Sequence, residues 1–207
     1  MFEYRICRAY RFVMLRTAHH LVTWRVSAFG LAMVAMLAAL MTVPLLYWQQ
    51  YVAAVVAIVF YRLFSALSVA VSTALERDRA RQHYLHPFME NMLMLSVLTG
   101  LILLAPAQLL WPALAVLIMS LLFDQERRLA ITILYDSENT YGSGKTPEPY
   151  RWDHWLDRCA GSGGRTSLLM VGCYWPEIFI YAGVLFAAYC LMSVSYTHLT
   201  LPTIYSV

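Results

Sequence analysis

Long uncharged apolar runs alternate along this chain with short arginine-rich segments. The first run extends from Trp24 to Trp48 and is uncharged after Arg25; the second extends from Tyr51 to Leu75 and is interrupted only by Arg62. Gln49 and Gln50 alone separate them. Each run is near the ~20 residues that an α-helix needs to cross the hydrocarbon core. Trp24, Tyr47, Trp48 and Tyr51 stand at the run ends, where aromatic rings favour the membrane interface. This pattern predicts two antiparallel spans, 24–48 and 51–75, joined by a very tight turn.

A third stretch, Asn91 to Phe123, carries no charge over 33 residues, too many for one ordinary span. Pro106, Gln108 and Pro112 lie at its middle, and proline breaks or kinks helices. The stretch therefore divides into 90–105 and 109–123. Both halves are short for spans, which leaves a re-entrant hairpin as the alternative. A polar segment, 124–165, opens with Asp124-Gln-Glu-Arg-Arg128 and ends in the glycine-rich Ala160–Gly164 before Arg165. The last run, 166–192, contains Pro176 and Glu177. The expected fold is all-α: a polytopic transmembrane bundle of about five spans. It comprises a basic segment 1–23, two hairpins within 24–123, a loop 124–165 and one further helix 166–192.

Small residues recur at helical spacing in the first two runs. Ala28, Ala32, Ala35 and Ala39 form one seam, and Ala66, Ala70 and Ala74 a second. Small side chains let backbones approach closely in lipid, where packing and not water exclusion drives association, so the two seams are expected to face each other.

Composition supports a membrane setting. Of the 207 residues, 60% are hydrophobic and 13% charged, about half the ~25% typical of soluble domains. The net charge of +3 is modest, but its placement is one-sided. Of the 15 Lys and Arg residues, five lie in 1–25, three in 76–89 and six in 124–165, while Arg62 lies inside a span. The intervening turns 49–50 and 106–112 have none. With alternating spans, every loop cation falls on one face, which places the N-terminus and the 124–165 loop in the cytoplasm. The expected location is the bacterial cytoplasmic (inner) membrane.

Residues 1–23 are polar and arginine-rich, yet the first run ends in Trp48-Gln49 without a small-residue cleavage site, so that run reads as an anchor and not as a cleaved signal. Cys7 and Cys159 fall in segments expected in the cytoplasm and Cys173 and Cys190 in a hydrophobic run, which argues against structural disulfides. The tail 193–207, in particular Val194-Ser-Tyr-Thr-His-Leu-Thr-Leu-Pro-Thr-Ile-Tyr-Ser-Val207, resembles the conceptual translation of sequencing-adapter read-through. It is expected to be non-native, with the native chain recorded only to about Ser193, and it is set aside with His198.

Several arrangements suggest chemistry. Gly142-Ser-Gly-Lys-Thr146 is similar to the end of a phosphate-binding P-loop, but Asn139 stands where the first glycine is needed, and Pro147 and Pro149 oppose the helix that must follow. A flexible loop is the simpler expectation. Asp153 and Asp157 are spaced i, i+4 around His154 and could hold a divalent cation on one helix face. Their spacing resembles the second half of the motif of CDP-alcohol phosphotransferases; the first half, with its paired aspartates, is absent. Asp153, His154 and Asp157 are thus weak interfacial candidates, and an interfacial helix resting its tryptophans on headgroups is the alternative. His83 and His86 form an H-x-x-H pair without the further ligands zinc requires. No cofactor or metal is expected.

Arg5, Arg8, Arg11 and Arg16 interleave with apolar residues, a pattern expected to contact anionic lipid and not nucleic acid. Arg62 and Glu177 are the most informative charges. Each is the twelfth residue of its run, near the midplane, where a charge costs ~2.5–3.5 kcal/mol on the insertion scale. They are expected to form an intramembrane pair, structural or transport-related. Ser65, Val69 and Ser72 continue the Arg62 face as a polar stripe that should avoid lipid.

The expected function is a non-enzymatic component of a bacterial membrane complex (secretion, conjugation or envelope), with other membrane subunits as partners. A small-solute or ion transporter is the alternative, and a membrane enzyme acting on a lipid-linked substrate a further one. Reporter fusions at Gln50 and Lys145 are expected to lie on opposite sides of the membrane; both on the same side would overturn the topology.

Overall fold

The computed structural model describes residues 16–24, 26–75, 79–141 and 162–204. Among them the secondary structure is helical, with no strand. The principal helices are α1 (Ala28–Tyr47), α2 (Tyr51–Leu75), α3 (Arg79–Leu104), α4 (Pro106–Tyr141), α5 (Ser162–Tyr174) and α6 (Pro176–Ile204). Four carry segments long and apolar enough to cross a membrane, Ala28–Tyr47, Tyr51–Ala74, Leu85–Leu104 and Pro106–Gln125, and Pro176–Met192 is a shorter apolar helix. The protein is therefore a polytopic helical membrane bundle of about five spans. It divides into two compact units, Met1–Leu104 and Ala105–Val207.

In the first unit α1 packs against both α2 and α3. Ser27 caps α1, its hydroxyl accepting from the Gly30 N–H at 3.0 Å, so one donor orphaned at the helix start is satisfied. The helix ends in a tight reversal. Gln49 adopts a left-handed backbone (φ 57°); its N–H donates to the Leu46 carbonyl at 2.9 Å and that of Gln50 to the Leu45 carbonyl at 2.8 Å. This pair of bonds is the Schellman arrangement, here built without the usual glycine. It caps the last carbonyls of α1 and starts α2 two residues later.

The expected seam on α1 is buried: Ala28, Ala32, Ala35 and Ala39 are at most 2% exposed. Thr42 and Leu46 continue it, in alternating steps of four and three, the 3.5-residue period of left-handed helix pairs. The seam expected on α2 is not the main one that packs, although Ala70 lies against the cluster that contains Ala28. Ala66 and Ala70 are half-buried and Ala74 is exposed. The buried stripe is Ala54, Ile58, Tyr61, Ser65, Ser68 and Ser72, with the same period as on α1. Its polarity is tolerable because the hydroxyls bond their own helix: Ser68 Oγ donates to the Ser65 carbonyl and Ser72 Oγ to that of Val69, each at 2.9 Å. Close approach continues on α3, where a Cβ at Gly100 would lie 2.7 Å from Leu46 Cδ1.

Several boundaries differ from those expected. Much of the 76–89 segment is helix, because α3 begins at Arg79 and runs through Pro87. The break in the 91–123 stretch falls at Ala105 alone. There Pro106 opens α4 at the first helical position, where its missing N–H costs nothing, and the Ala105 carbonyl accepts from Leu109 N–H at 2.9 Å. Pro112 is accommodated inside α4, which continues to Tyr141 into the polar segment.

In the second unit α6 packs against α4 and α5. The 166–192 run is two helices, not one. Pro176 has no N–H for the Gly172 carbonyl, and the chain re-forms its ladder when Ile178 and Phe179 N–H donate to Trp175 O at 3.1 and 3.3 Å. Phe179, fully buried, fills the bend so tightly that a Cβ at Gly172 would lie 2.5 Å from its ring. Phe123 and Cys190 form a core with Met119, Phe186 and Tyr189 against it; Cys173 and Cys190 are free thiols.

The buried seam of α1 and the half-buried alanines of α2 make opposite claims on packing. Ala35→Leu, at a fully buried position, is expected to destabilise by ~1–3 kcal/mol through overpacking, while Ala66→Leu, at a half-buried one, should be near neutral. Thermal melting in mild detergent measures both; equal effects would mean that Ala66 also lies in a packed seam.

Candidate functional site: two buried ion pairs

Arg62 is held from the middle of α2. Its Nη1 donates to Glu90 Oε1 at 2.5 Å and its Nη2 to Glu90 Oε2 at 3.1 Å, a two-pronged match of guanidinium to carboxylate. The Glu90 side chain is 7% exposed and that of Arg62 25%. Tyr61, fully buried beside them, points its hydroxyl at Glu90 Oε1 from 3.5 Å, and the Arg62 guanidinium lies 5.7 Å from the Tyr61 ring centre, within range of a cation–π attraction. Asn91, the next residue on α3, has a buried Oδ1 with no hydrogen-bond partner among the described residues.

Both charges fall inside helices capable of spanning, Tyr51–Ala74 and Leu85–Leu104. Their meeting follows from the hairpin. Arg62 lies 13 residues before the end of α2 at Leu75, and Glu90 lies 11 residues after the start of α3 at Arg79. At 1.5 Å per residue, antiparallel helices that diverge from one turn bring such positions to within about 3 Å of the same depth. Depth counting selects Glu177 for this role; in the structure Glu90 takes it. Glu177 instead stands exposed in the first turn of α6, where a negative side chain is favoured by the helix dipole. Of the stripe expected to continue the Arg62 face, Ser65 and Ser72 are buried and Val69 half-buried.

A second pair closes within the other unit. Arg165 Nη1 donates to Asp124 Oδ2 at 2.6 Å, with side-chain exposures of 10% and 18%. These residues are the last and first of the polar segment, 41 positions apart, so the pair ties together the two points where that segment leaves and rejoins the apolar helices. Ser120, one turn from Asp124 on α4, has a buried hydroxyl without a partner among the described residues, as does Arg165 Nε.

The sequence treats Glu90, Asp124 and Arg165 as edges of apolar runs, and all three prove to be ion-pair partners. His83 and His86 lie on α3. Asp153, His154 and Asp157, and the Gly142–Thr146 loop, lie outside the described residues. Among the described residues no group of three or more His, Cys, Asp or Glu side chains is placed to hold a metal ion. No protein-family model matches the chain, and no curated protein or solved structure matches it.

Removing one member of a buried ion pair leaves the other uncompensated, at ~3–5 kcal/mol. Glu90→Gln is therefore expected to lower stability strongly, and adding Arg62→Gln to restore part of the loss. Thermal melting of the wild type, both single variants and the double variant measures the coupling, expected at ~0.5–3 kcal/mol. Strictly additive losses would show that the two side chains do not depend on each other.

Proposed function

We propose that the protein is a non-enzymatic subunit of a bacterial inner-membrane complex, serving secretion, conjugation or the envelope, with its N-terminus and its 124–165 segment in the cytoplasm. The observation that carries this reading is the two-pronged closure of Arg62 on Glu90. A charge that works in transport has to exchange partners during the cycle, whereas a guanidinium with two nitrogens on both oxygens of one carboxylate is suited to holding helices together. The Asp124–Arg165 pair, closed by a single contact, joins the two ends of the polar segment. The cytoplasmic orientation rests on the one-sided distribution of Lys and Arg.

A transporter is the second reading, favoured by one feature. The apolar run of α5 and α6 is broken at Pro176, with Glu177 exposed in the first turn beyond the break. Interrupted helices with polar groups at the break are how transporters build binding sites within a membrane.

Two measurements separate these readings. Under the subunit reading, the tagged protein expressed at native level runs on native gels of mild-detergent extracts as a species several times larger than its 23.7 kDa mass and detergent belt. Liposomes containing the purified chain then show no flux of ions or small solutes above empty liposomes. A monomer whose liposomes show flux, abolished by Glu177→Gln, would replace the subunit reading with the transporter.

A further inference from the structure

Residues 16–23 are helical and precede α1. One side of this short helix is fixed to the bundle: Ala18 is fully buried in a cluster with Ala28, Leu31 and Val71, against which Leu21, Val22, Val26, Phe64, Leu67 and Ala70 also pack. The other side is a stripe at helical spacing, Arg16, His19, His20 and Thr23, continued by Trp24, and every one of these residues is exposed. The stripe is therefore presented by a helix that the α1–α2 pair holds in place.

We infer that this stripe is a docking surface for the headgroups of anionic phospholipids. Position is the first argument. The helix ends four residues before the Ser27 cap of α1, and Ala28 is the first residue of a membrane-capable helix, so the stripe lies at headgroup depth. Trp24, 78% exposed at the junction, is the residue type that settles at that depth. Chemistry is the second. Guanidinium, imidazole and indole all present N–H donors, and phosphate oxygens are acceptors that favour charge-assisted bonds. Charge is the third. Glu3 is the only acidic residue in 1–24, against Arg5, Arg8, Arg11 and Arg16, so the segment complements a negative surface. Thr23 spends its hydroxyl on the His20 carbonyl at 2.6 Å, which leaves the N–H donors of the stripe as its recognition groups.

This surface differs from the general basic character of the N-terminus in being built on a fixed helix, and the test exploits that difference. The full-length protein, purified in detergent and stripped of lipid, is melted with added phosphatidylglycerol or phosphatidylcholine. Phosphatidylglycerol is expected to raise the melting temperature by several degrees more than phosphatidylcholine, and high salt to shrink that difference. The variant Arg16→Gln/His19→Gln/His20→Gln should melt like the wild type in phosphatidylcholine and lose most of the phosphatidylglycerol shift. The variant Arg5→Gln/Arg8→Gln/Arg11→Gln should keep at least half of it. If the stripe variant fails to fold, Arg16→Gln alone, at an exposed position, should reduce the shift in the same direction. Equal shifts for the two lipids, or an anionic shift that survives the stripe substitutions, would overturn the inference.

Discussion

A guanidinium in the middle of an apolar helix is neutralised by protein, because the hydrocarbon core offers it no partner. In the first unit that requirement links otherwise separate features. Arg62 reaches Glu90 only if α2 and α3 both lie close to the helix between which they are shared, and α1 permits this by presenting alanines: Ala28, Ala32, Ala35 and Ala39 are essentially unexposed. A larger side chain there would hold the neighbours apart. Packing and electrostatics are thus coupled. The alanine seam brings the helices together, and the ion pair offsets insertion penalties of ~2.5–3.5 kcal/mol per charge that would otherwise oppose the same arrangement.

Much of this was legible in the sequence. The lengths of the apolar runs, the tight turn at Gln49 and Gln50, the alanine seam of α1 and the need to neutralise Arg62 all follow from residue type and spacing. The identity of the partner did not, and the reason is specific. Glu90 stands at the edge of an uncharged stretch and reads as a boundary, while Arg79, Arg81, His83, His86 and Pro87 before it read as a loop. Once α3 is helical from Arg79, Glu90 lies well inside it, and the similar distances of positions 62 and 90 from the turn identify the pair. The α2 seam was obscured for a different reason. Ser65 and Ser72 read as a polar stripe that avoids lipid and not as a packing seam, yet a serine that bonds its own backbone behaves in a helix interface as a small residue with no unmet demand.

Pro176 shows how far local sequence reaches. Its effect on the ladder is certain from the missing N–H, but whether the run bends or breaks depends on what fills the gap. Here a glycine four residues earlier gives up its side-chain volume to Phe179, a choice that involves both sides of the break and cannot be read from the proline alone. Glu177 then has an ordinary place, at the positive end of α6.

The Asp124–Arg165 contact has a consequence for how this protein can change over time. By pinning the two ends of the intervening segment to each other, it makes the segment's length nearly irrelevant to the helices that carry it. The entropy of closing a chain rises only with the logarithm of its length, so that doubling it costs ~0.6 kcal/mol. Material can be inserted between Tyr141 and Ser162, or exchanged there, while the apolar helices keep their register. The ion pair is in this sense a graft point, holding the flanking helices to each other independently of the chain that runs between them.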